Sequence, residues 1–347
     1  MLTTKHIVRG IRCALRTEPR TLAKGAKAKN MKLRLALLPL IVCAALASPA
    51  PADVDYRAEM KSFVAAIAAH ARTGNPDFGV FPQNASDLGE DAAYVDVCTG
   101  IGQEDIHYGY TGDAKPTPPE DVAQLETNLD RFTARGKLVL TLDYPFKQKN
   151  KPPKFDRKTL QRVDAAYAAS HARGYVATVA VRELNVLTFA PGHLPSPNES
   201  PMEWSDVAEW AVQLQPARKQ SRADYLGALG ASGYDLVLLD YSFDGGADAE
   251  YTPEEIAALK TQLNGKVVAY LSIGEAEDYR WYWQPTWKPG APAWLGRENP
   301  DWKGNYKVHY WDPAWQAIVM QYLDKIIAQG FDGVYLDLVD AYEYYEE

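Results

Sequence analysis

The residues that could do chemistry stand at the ends of apolar runs. "GVYLD" (333–337) closes on Asp337, and Asp340, Tyr342 and Glu343 follow it. "YVDVCTGIGQED" (94–105) closes on Glu104 and Asp105, "KLVLTLDYP" (137–145) on Asp143 and Tyr144, and "YDLVLLDYS" (234–242) on Asp240 and Tyr241. "KVVAYLSIGEAE" (266–277) ends in Glu275 and Glu277, and "FGVFPQN" (78–84) ends in Asn84. Carboxyl groups so placed can give and take protons, and Asn and Tyr can hydrogen-bond a polar ligand. Other chemistries lack their signatures. His6, His70, His107, His171, His193 and His309 are scattered, without HExxH or paired spacing, so no metal is expected. A GxSxG elbow is absent, and no GxGxxG or Walker loop follows a run, so no cofactor is expected.

Two further runs, "YVATVAVRE" (175–183) and "WAVQLQ" (210–215), bring the strand-like segments to eight. Several are apolar almost throughout, as strands buried on both faces are. Helix-like segments lie between most of them. "TPPEDVAQLETNLDRFTARG", "DRKTLQRVDAAYAASHARG", "TPEEIAALKTQLNG" and "DPAWQAIVMQYLDKIIAQG" begin with Pro or acids and close on Gly, and "YRAEMKSFVAAIAAHAR" precedes the first strand. The alternation predicts an α/β fold, a (β/α)8 TIM-type barrel, with a doubly wound open sheet as the alternative. Barrel sites form at the C-terminal strand ends, which is what makes the polar residues there candidates. The stretch "TFAPGHLPSPNESPMEW" (188–204) holds four prolines and reads as a linker.

The first 52 residues read as leader. "MKLR" at Met31, the apolar run "LALLPLIVCAALA" and the small residues "SPAPA" make a signal peptide over 31–52, cleaved after Ala47 or Ala52. The run is too short for a membrane span. Residues 1–30 carry eight Lys and Arg against one acid, and read as an extended n-region or an early start, with a nucleic-acid-binding arm as the alternative. Beyond residue 52 the chain has 27 Lys and Arg against 44 Asp and Glu, a formal charge of −17. Nucleic acid is a poor partner for that surface; a cationic ligand would be drawn to it, though solubility alone accounts for it equally. Only Cys98 of three cysteines remains, so no internal disulfide is possible. A secreted or periplasmic monomer is expected.

"KVVAYLSIGEAEDYRWYW", "NPDWKGNYKVHYWDPAWQ" and "GFDGVYLDLVDAYEYY" resemble the secreted barrel glycosidases grouped with endo-α-1,4-polygalactosaminidase, glycoside hydrolase family 114. The likeness extends through "WAVQLQ", "YDLVLLDYSFDG", "FGVFPQNASDL", "YVDVCTGIGQEDIHYGY" and "GKLVLTLDYP", but the order differs. In the family "W-x-x-QLQ" opens the barrel and "PQN" and "GxGxED" come after "YLD". The resemblance therefore implies a circular permutation with strand order 5-6-7-8-1-2-3-4. It makes 53–347 a single barrel, with halves 53–187 and 204–347 joined by the Pro-rich 188–203.

The family's two carboxylates end strands four and six, and by motif they fall on Asp337 and Glu104. The resemblance makes Asp337 the nucleophile or base and Glu104 the general acid of a glycoside hydrolase. Asp105 is the rival for Glu104, and loop capping is the alternative role for either. Asp240, Tyr241, Glu275, Asn84, Asp143, Tyr144, Asp340 and Tyr342 are expected to bind substrate. Carboxylates there would meet sugar hydroxyls or an amino-sugar ammonium, and aromatic faces would stack on pyranose rings. Ion pairs with Arg280 or Arg182 are the alternative for Glu277 and Asp278. "WYW" (281–283) and Trp302 read as loop packing. The implied substrate is an α-linked galactosamine or N-acetylgalactosamine polysaccharide. "LDLVD" replaces the family's Pro-containing "DPDN", which leaves the sugar open. A catalytically inactive carbohydrate-binding barrel is the competing function, and the product of a rearranged gene that never folds is a third.

Overall fold

The computed structural model describes residues 54–149, 151–197 and 202–346, so the leader and signal-peptide expectations over 1–52 lie outside the described residues. In chain order the elements are α1 (Tyr56–Ala71), β1 (Gly79–Pro82), α2 (Ala92–Val97), β2 (Gly100–Glu104), α3 (Pro119–Thr133) and β3 (Leu138–Asp143). Next come α4 (Arg157–Ala172), β4 (Val176–Val179), β5 (Trp210–Val212), α5 (Arg222–Gly230), β6 (Leu236–Leu239) and α6 (Pro253–Leu263). The rest are β7 (Lys266–Ser272), β8 (Glu275–Glu277), β9 (Leu295–Glu298), β10 (Asn305–Val308), α7 (Pro313–Gln329), β11 (Gly333–Asp337) and α8 (Glu343–Glu346).

The five expected helices form, and their ends follow the sequence punctuation. Thr252 and Glu255 make a reciprocal capping box at the start of α6, and Asp312 caps α7 through the Ala314 N–H. Gly330 ends α7 at φ 87°, a conformation that favours glycine. Three differences stand out. "YVDV" at 94–97 is helical in α2, because Asp91 caps a short turn before Gly100 starts the strand. The run 266–277 divides into β7 and β8. "SRADYLGALG" forms α5, capped by Ser221.

The chain is an α/β fold built on parallel strands. One sheet has the order β1-β11-β7-β6-β5 and a second the order β2-β3-β4, every pair parallel. β11 lies between β1 (Gly79↔Gly333 through Pro82↔Leu336) and β7 (Gly333↔Val268 through Asp337↔Ser272). A parallel bridge, Gln83↔Gly102, links the two sheets where β1 and β2 adjoin. The Trp210 Nε1 of β5 donates to the Val176 carbonyl of β4 at 3.0 Å. A small antiparallel sheet, β8-β10-β9, sits in the connection after β7.

The period of two sorts the strand side chains into two layers. Phe81, Leu140, Leu142, Trp210, Val212, Leu236, Leu238, Val268, Tyr270 and Tyr335 form one buried cluster drawn from both sheets. The alternate residues, among them Val80, Ile101, Val139, Val237, Val267 and Val334, join the larger core with apolar side chains of α1, α3, α6 and α7. Among the described residues no helix is long and apolar enough to cross a membrane.

Candidate active site

The parity of β2 and β11 aims two carboxylates into the same side of the sheet. Tyr335 belongs to the inner cluster, so Asp337, two residues on, points the same way. In β2 it is Gly102 that faces Tyr335: a Cβ there would lie 1.7 Å from the Tyr335 hydroxyl. Glu104 shares the parity of Gly102. β1 lies between the two strands, so the carboxylates stand two strand positions apart.

The backbone is bent where each strand ends. Asn84 (φ 58°), Asp105 (φ 61°) and Leu338 (φ 61°) are left-handed non-glycine residues just past β1, β2 and β11. Such conformations concentrate where a site is held in a set shape. Asn84 ties the three ends together. Its Oδ1 accepts from Gln103 Nε2 (3.1 Å) and from the Glu104 N–H (3.3 Å), and its Nδ2 donates to Asp340 Oδ2 (3.4 Å).

Asp337 is fully buried and accepts from Tyr270 OH (2.7 Å) and from the Leu338 N–H (2.9 Å). Glu104 is 4% exposed. Its Oε2 accepts from Tyr144 OH at 2.7 Å and lies 3.7 Å from Arg182 Nη1, while Oε1 is buried without a hydrogen-bond partner among the described residues. Burial, and after it the charges of Asp105 and then Asp337, push the Glu104 carboxyl up to about 8, against the pull of Arg182 and Tyr144. Its surroundings thus favour the protonated carboxyl. Asp105, the rival for the acid role, is held by Arg182 through Nη2 (2.7 Å) and Nη1 (3.1 Å).

The other expected site residues divide. Asp340 is buried near the pair, its Oδ1 has no hydrogen-bond partner among the described residues, and burial, then the charges of Glu343, Asp337 and Glu104, raise it well above the usual carboxylate range. Glu275 is buried, accepts from Asn299 Nδ2 (2.8 Å) and Tyr344 OH (3.2 Å), and is raised by burial to about 7. Tyr144 touches Glu104 and is buried, with the Arg182 guanidinium over one face of its ring, 3.5 Å from the centroid.

Four of the expected residues face elsewhere or are held by a cation. Tyr241 has the opposite parity, and its ring packs on Tyr322 in the helix-facing core. Asp143 likewise turns away from the inner cluster, and its Oδ1 accepts the His107 and Tyr108 N–H groups, both at 2.7 Å. Tyr342 packs in the outer core, donating to Asp87 Oδ1 at 2.7 Å with Arg57 across its ring. Asp240 is locked at 2.8 Å onto Arg280, which also takes Glu277 at 2.6 Å. That buried triad explains Glu277 as an ion pair. Trp281, Tyr282 and Trp283 pack against the core. Two residues that matter were not singled out for the site: Tyr270, which meets Asp337, and Gln103. The inward parity of Tyr270 with Val268 was the available signal.

Residues 193–347 match the family model of glycoside-hydrolase family GH114. Over those residues, which are less than half of the chain, it is similar to that family. The uncharacterized protein MJ1477 of Methanocaldococcus jannaschii is 51% identical over 139 residues, which is 40% of this chain and 38% of that protein. An uncharacterized protein of Deinococcus radiodurans is 48% identical over 161 residues (44% and 49%), and one of Thermotoga maritima 45% over 140 residues (40% of each). The chain thus spans less than half the length of these relatives. Dihydropteroate synthase of Thermus thermophilus aligns over 77% of this chain and 90% of its own at 13% identity, with a TM-score of 0.29, too low to bear on fold or function.

Proposed function

We propose that this chain is a secreted glycoside hydrolase that cleaves an α-linked galactosamine or N-acetylgalactosamine polysaccharide. Glu104 gives its proton to the leaving glycosidic oxygen, and Asp337 attacks the anomeric carbon or activates water for that attack. The observation that carries the reading is the asymmetry of the pair. Glu104 has surroundings that favour its protonated carboxyl and an oxygen without a hydrogen-bond partner among the described residues, while Asp337 accepts hydrogen bonds two strand positions away. Asp340 and Glu275 line the same region with raised carboxyls suited to sugar hydroxyls. Since Asp337 is fully buried, the polymer must displace side chains around it on binding.

The scaffold of this reading is a single closed barrel over 53–347, with the ring order β4-β5-β6-β7-β11-β1-β2-β3 and a circular permutation of the family arrangement. The bridge at Gln83↔Gly102, the Trp210 to Val176 bond and the inner cluster drawn from both sheets support closure. Export with cleavage near Ala47 or Ala52, and a monomeric state, belong to the same reading; N-terminal sequencing of secreted material tests the first.

Incubation with α-1,4-linked galactosaminan and its N-acetylated form, followed by mass analysis of released oligosaccharides, tests the activity. The parent chain should release products, and Asp337→Asn should lose most of the rate. Proton transfer alone typically supplies about 10²–10⁴-fold, so Glu104→Gln should fall by at least that order. Binding of either polymer without cleavage by the parent would instead favour a carbohydrate-binding barrel.

A further inference from the structure

Arg182 is held from four sides. Its Nε donates to Asp113 Oδ1 (2.8 Å), its Nη atoms to both oxygens of Asp105, and its Nη2 also to the Gly109 carbonyl (3.1 Å). Gly109 stands at φ 129°, and a Cβ on it would lie 1.8 Å from Asp105 Oδ1, so a side chain there would break the clamp. The fixed guanidinium lies over the Tyr144 ring, its Cζ 3.5 Å from the centroid. The backbone of Tyr144 is fixed too: its N–H donates to the Tyr108 carbonyl (2.9 Å) and its carbonyl accepts from the Ala114 N–H (2.8 Å). A phenol held this firmly directs its hydroxyl at one atom, Glu104 Oε2.

We propose that Tyr144 is a positioning residue for the acid: clamped beneath Arg182, its hydroxyl occupies Oε2 of Glu104 and so dedicates Oε1 to the proton and to the substrate. The Oε1–H bond breaks as the glycosidic oxygen takes the proton, and the electron pair of the O–H bond stays on the carboxyl group; the bond from the anomeric carbon to that oxygen breaks with its pair going to the leaving oxygen, while Asp337, or the water it activates, forms the new bond to the anomeric carbon. The carboxylate left behind then has the Tyr144 hydroxyl and the Arg182 charge already beside Oε2, so its charge is stabilised without rearrangement. The inference rests on the hydrolase reading only for what the proton is used for.

The groups facing Glu104 come from several elements: Asp105 at the end of β2, Tyr144 after β3, Arg182 after β4, Asp337 and Tyr335 on β11, and Asp340 beyond it. Two conservative variants should move the titration of Glu104 in opposite directions. Tyr144→Phe removes a hydrogen bond to the charged form, so the midpoint rises, by about one unit for a charge-assisted bond. Asp105→Asn removes a negative neighbour and frees the Arg182 charge to act on Glu104, so the midpoint falls. The probe is carbon-13 NMR of protein labelled at the glutamate carboxyl carbon, with the Glu104 signal assigned by its loss in Glu104→Gln. A general loosening of the site would shift both variants alike toward the ordinary value. A Tyr144→Phe midpoint that stays or falls overturns the proposal, and so does an Asp105→Asn midpoint that rises. On a polymer that the parent cleaves, Tyr144→Phe should lower kcat with KM little changed, and carry the alkaline limb of the rate profile upward. If no polymer is cleaved, the NMR arm still decides the proposal while the hydrolase reading fails separately.

Discussion

Glu104 has an environment that should leave a mark on stability as well as on rate. Unfolded, its carboxyl loses its proton near the ordinary 4.5; folded, it holds it until about 8. Between those values the unfolded chain binds fewer protons, so stability falls as pH rises through the window. Asp143, raised by burial from 3.8 to about 7, and Glu275, raised from 4.5 to about 7, act with the same sign. His107 acts the other way. Burial lowers it from 6.5 to about 4, so its contribution is present above the ordinary value and is lost as pH falls toward 4. Above about 6.5 the raised carboxyls dominate, joined near pH 9 by the buried Cys98 thiol, which burial raises from 9.0 to about 12, and the melting temperature of the parent should drop toward about pH 9. Glu104→Gln keeps the shape and cannot ionise. Its melting temperature should match the parent near pH 5 and exceed it increasingly toward pH 9. Equal slopes for the two proteins by calorimetry would mean that Glu104 is not protonated in the folded state.

At the scale of elements, the joint between β11 and β2 depends on one glycine. The Tyr335 hydroxyl occupies the space over Gly102 and meets Gln83 on the intervening strand. Gly102→Ala should destabilise the chain by roughly 1–3 kcal/mol, as overpacking of a tight interior does. Pairing it with Tyr335→Phe should cost less than the sum of the two single changes, which urea unfolding of all four proteins measures. Additive costs would show that the two residues do not share this space. Arg280 is the other joint. Its removal in Arg280→Met leaves Asp240 and Glu277 buried without their cation, and should cost about 3–5 kcal/mol. These joints also explain what was legible beforehand. Caps, prolines and apolar runs locate the helices and strands, because local chemistry decides them. Strand-end position alone does not say which way a side chain turns. Tyr241 and Asp143 end runs as Asp337 does, yet their parity turns them to the helix side. Asp240 has the right parity, but its partner Arg280 lies in a loop 40 positions later, and sequence gives no measure of that closeness. Glu104 and Asp337 could be paired in advance only through motif resemblance, because 233 positions separate them in the chain.

Across the whole molecule, the contacts between the first and last described elements resemble those between any sequence neighbours in an α/β fold. β1 and β11 pair in parallel over four residues. The rings of Tyr56 and Tyr345 lie 5.3 Å apart, Arg57 Nε meets Glu346 Oε1 at 2.9 Å, and Tyr310 OH donates to the Tyr56 carbonyl at 2.8 Å. A chain reordered as 202–347, a short Gly/Ser linker and 54–197 should therefore fold. It makes the β11–β1 contact local and the β4–β5 contact distant, exchanging one long closure for another. Loop-closure cost grows so slowly, about 0.6 kcal/mol per doubling of length, that the exchange should nearly cancel. The expected result is an unchanged far-ultraviolet spectrum, a single cooperative unfolding transition and a melting temperature within a few degrees of the parent. Any polymer cleaved by the parent should also be cleaved by the reordered chain, since Asp337 and Glu104 keep every neighbour named here. A reordered chain that stayed unfolded, while the parent melted cooperatively, would mean that the 188–203 segment does more than connect. The reading of two halves exchanged about a single barrel would then be lost, whatever the fate of the two carboxylates.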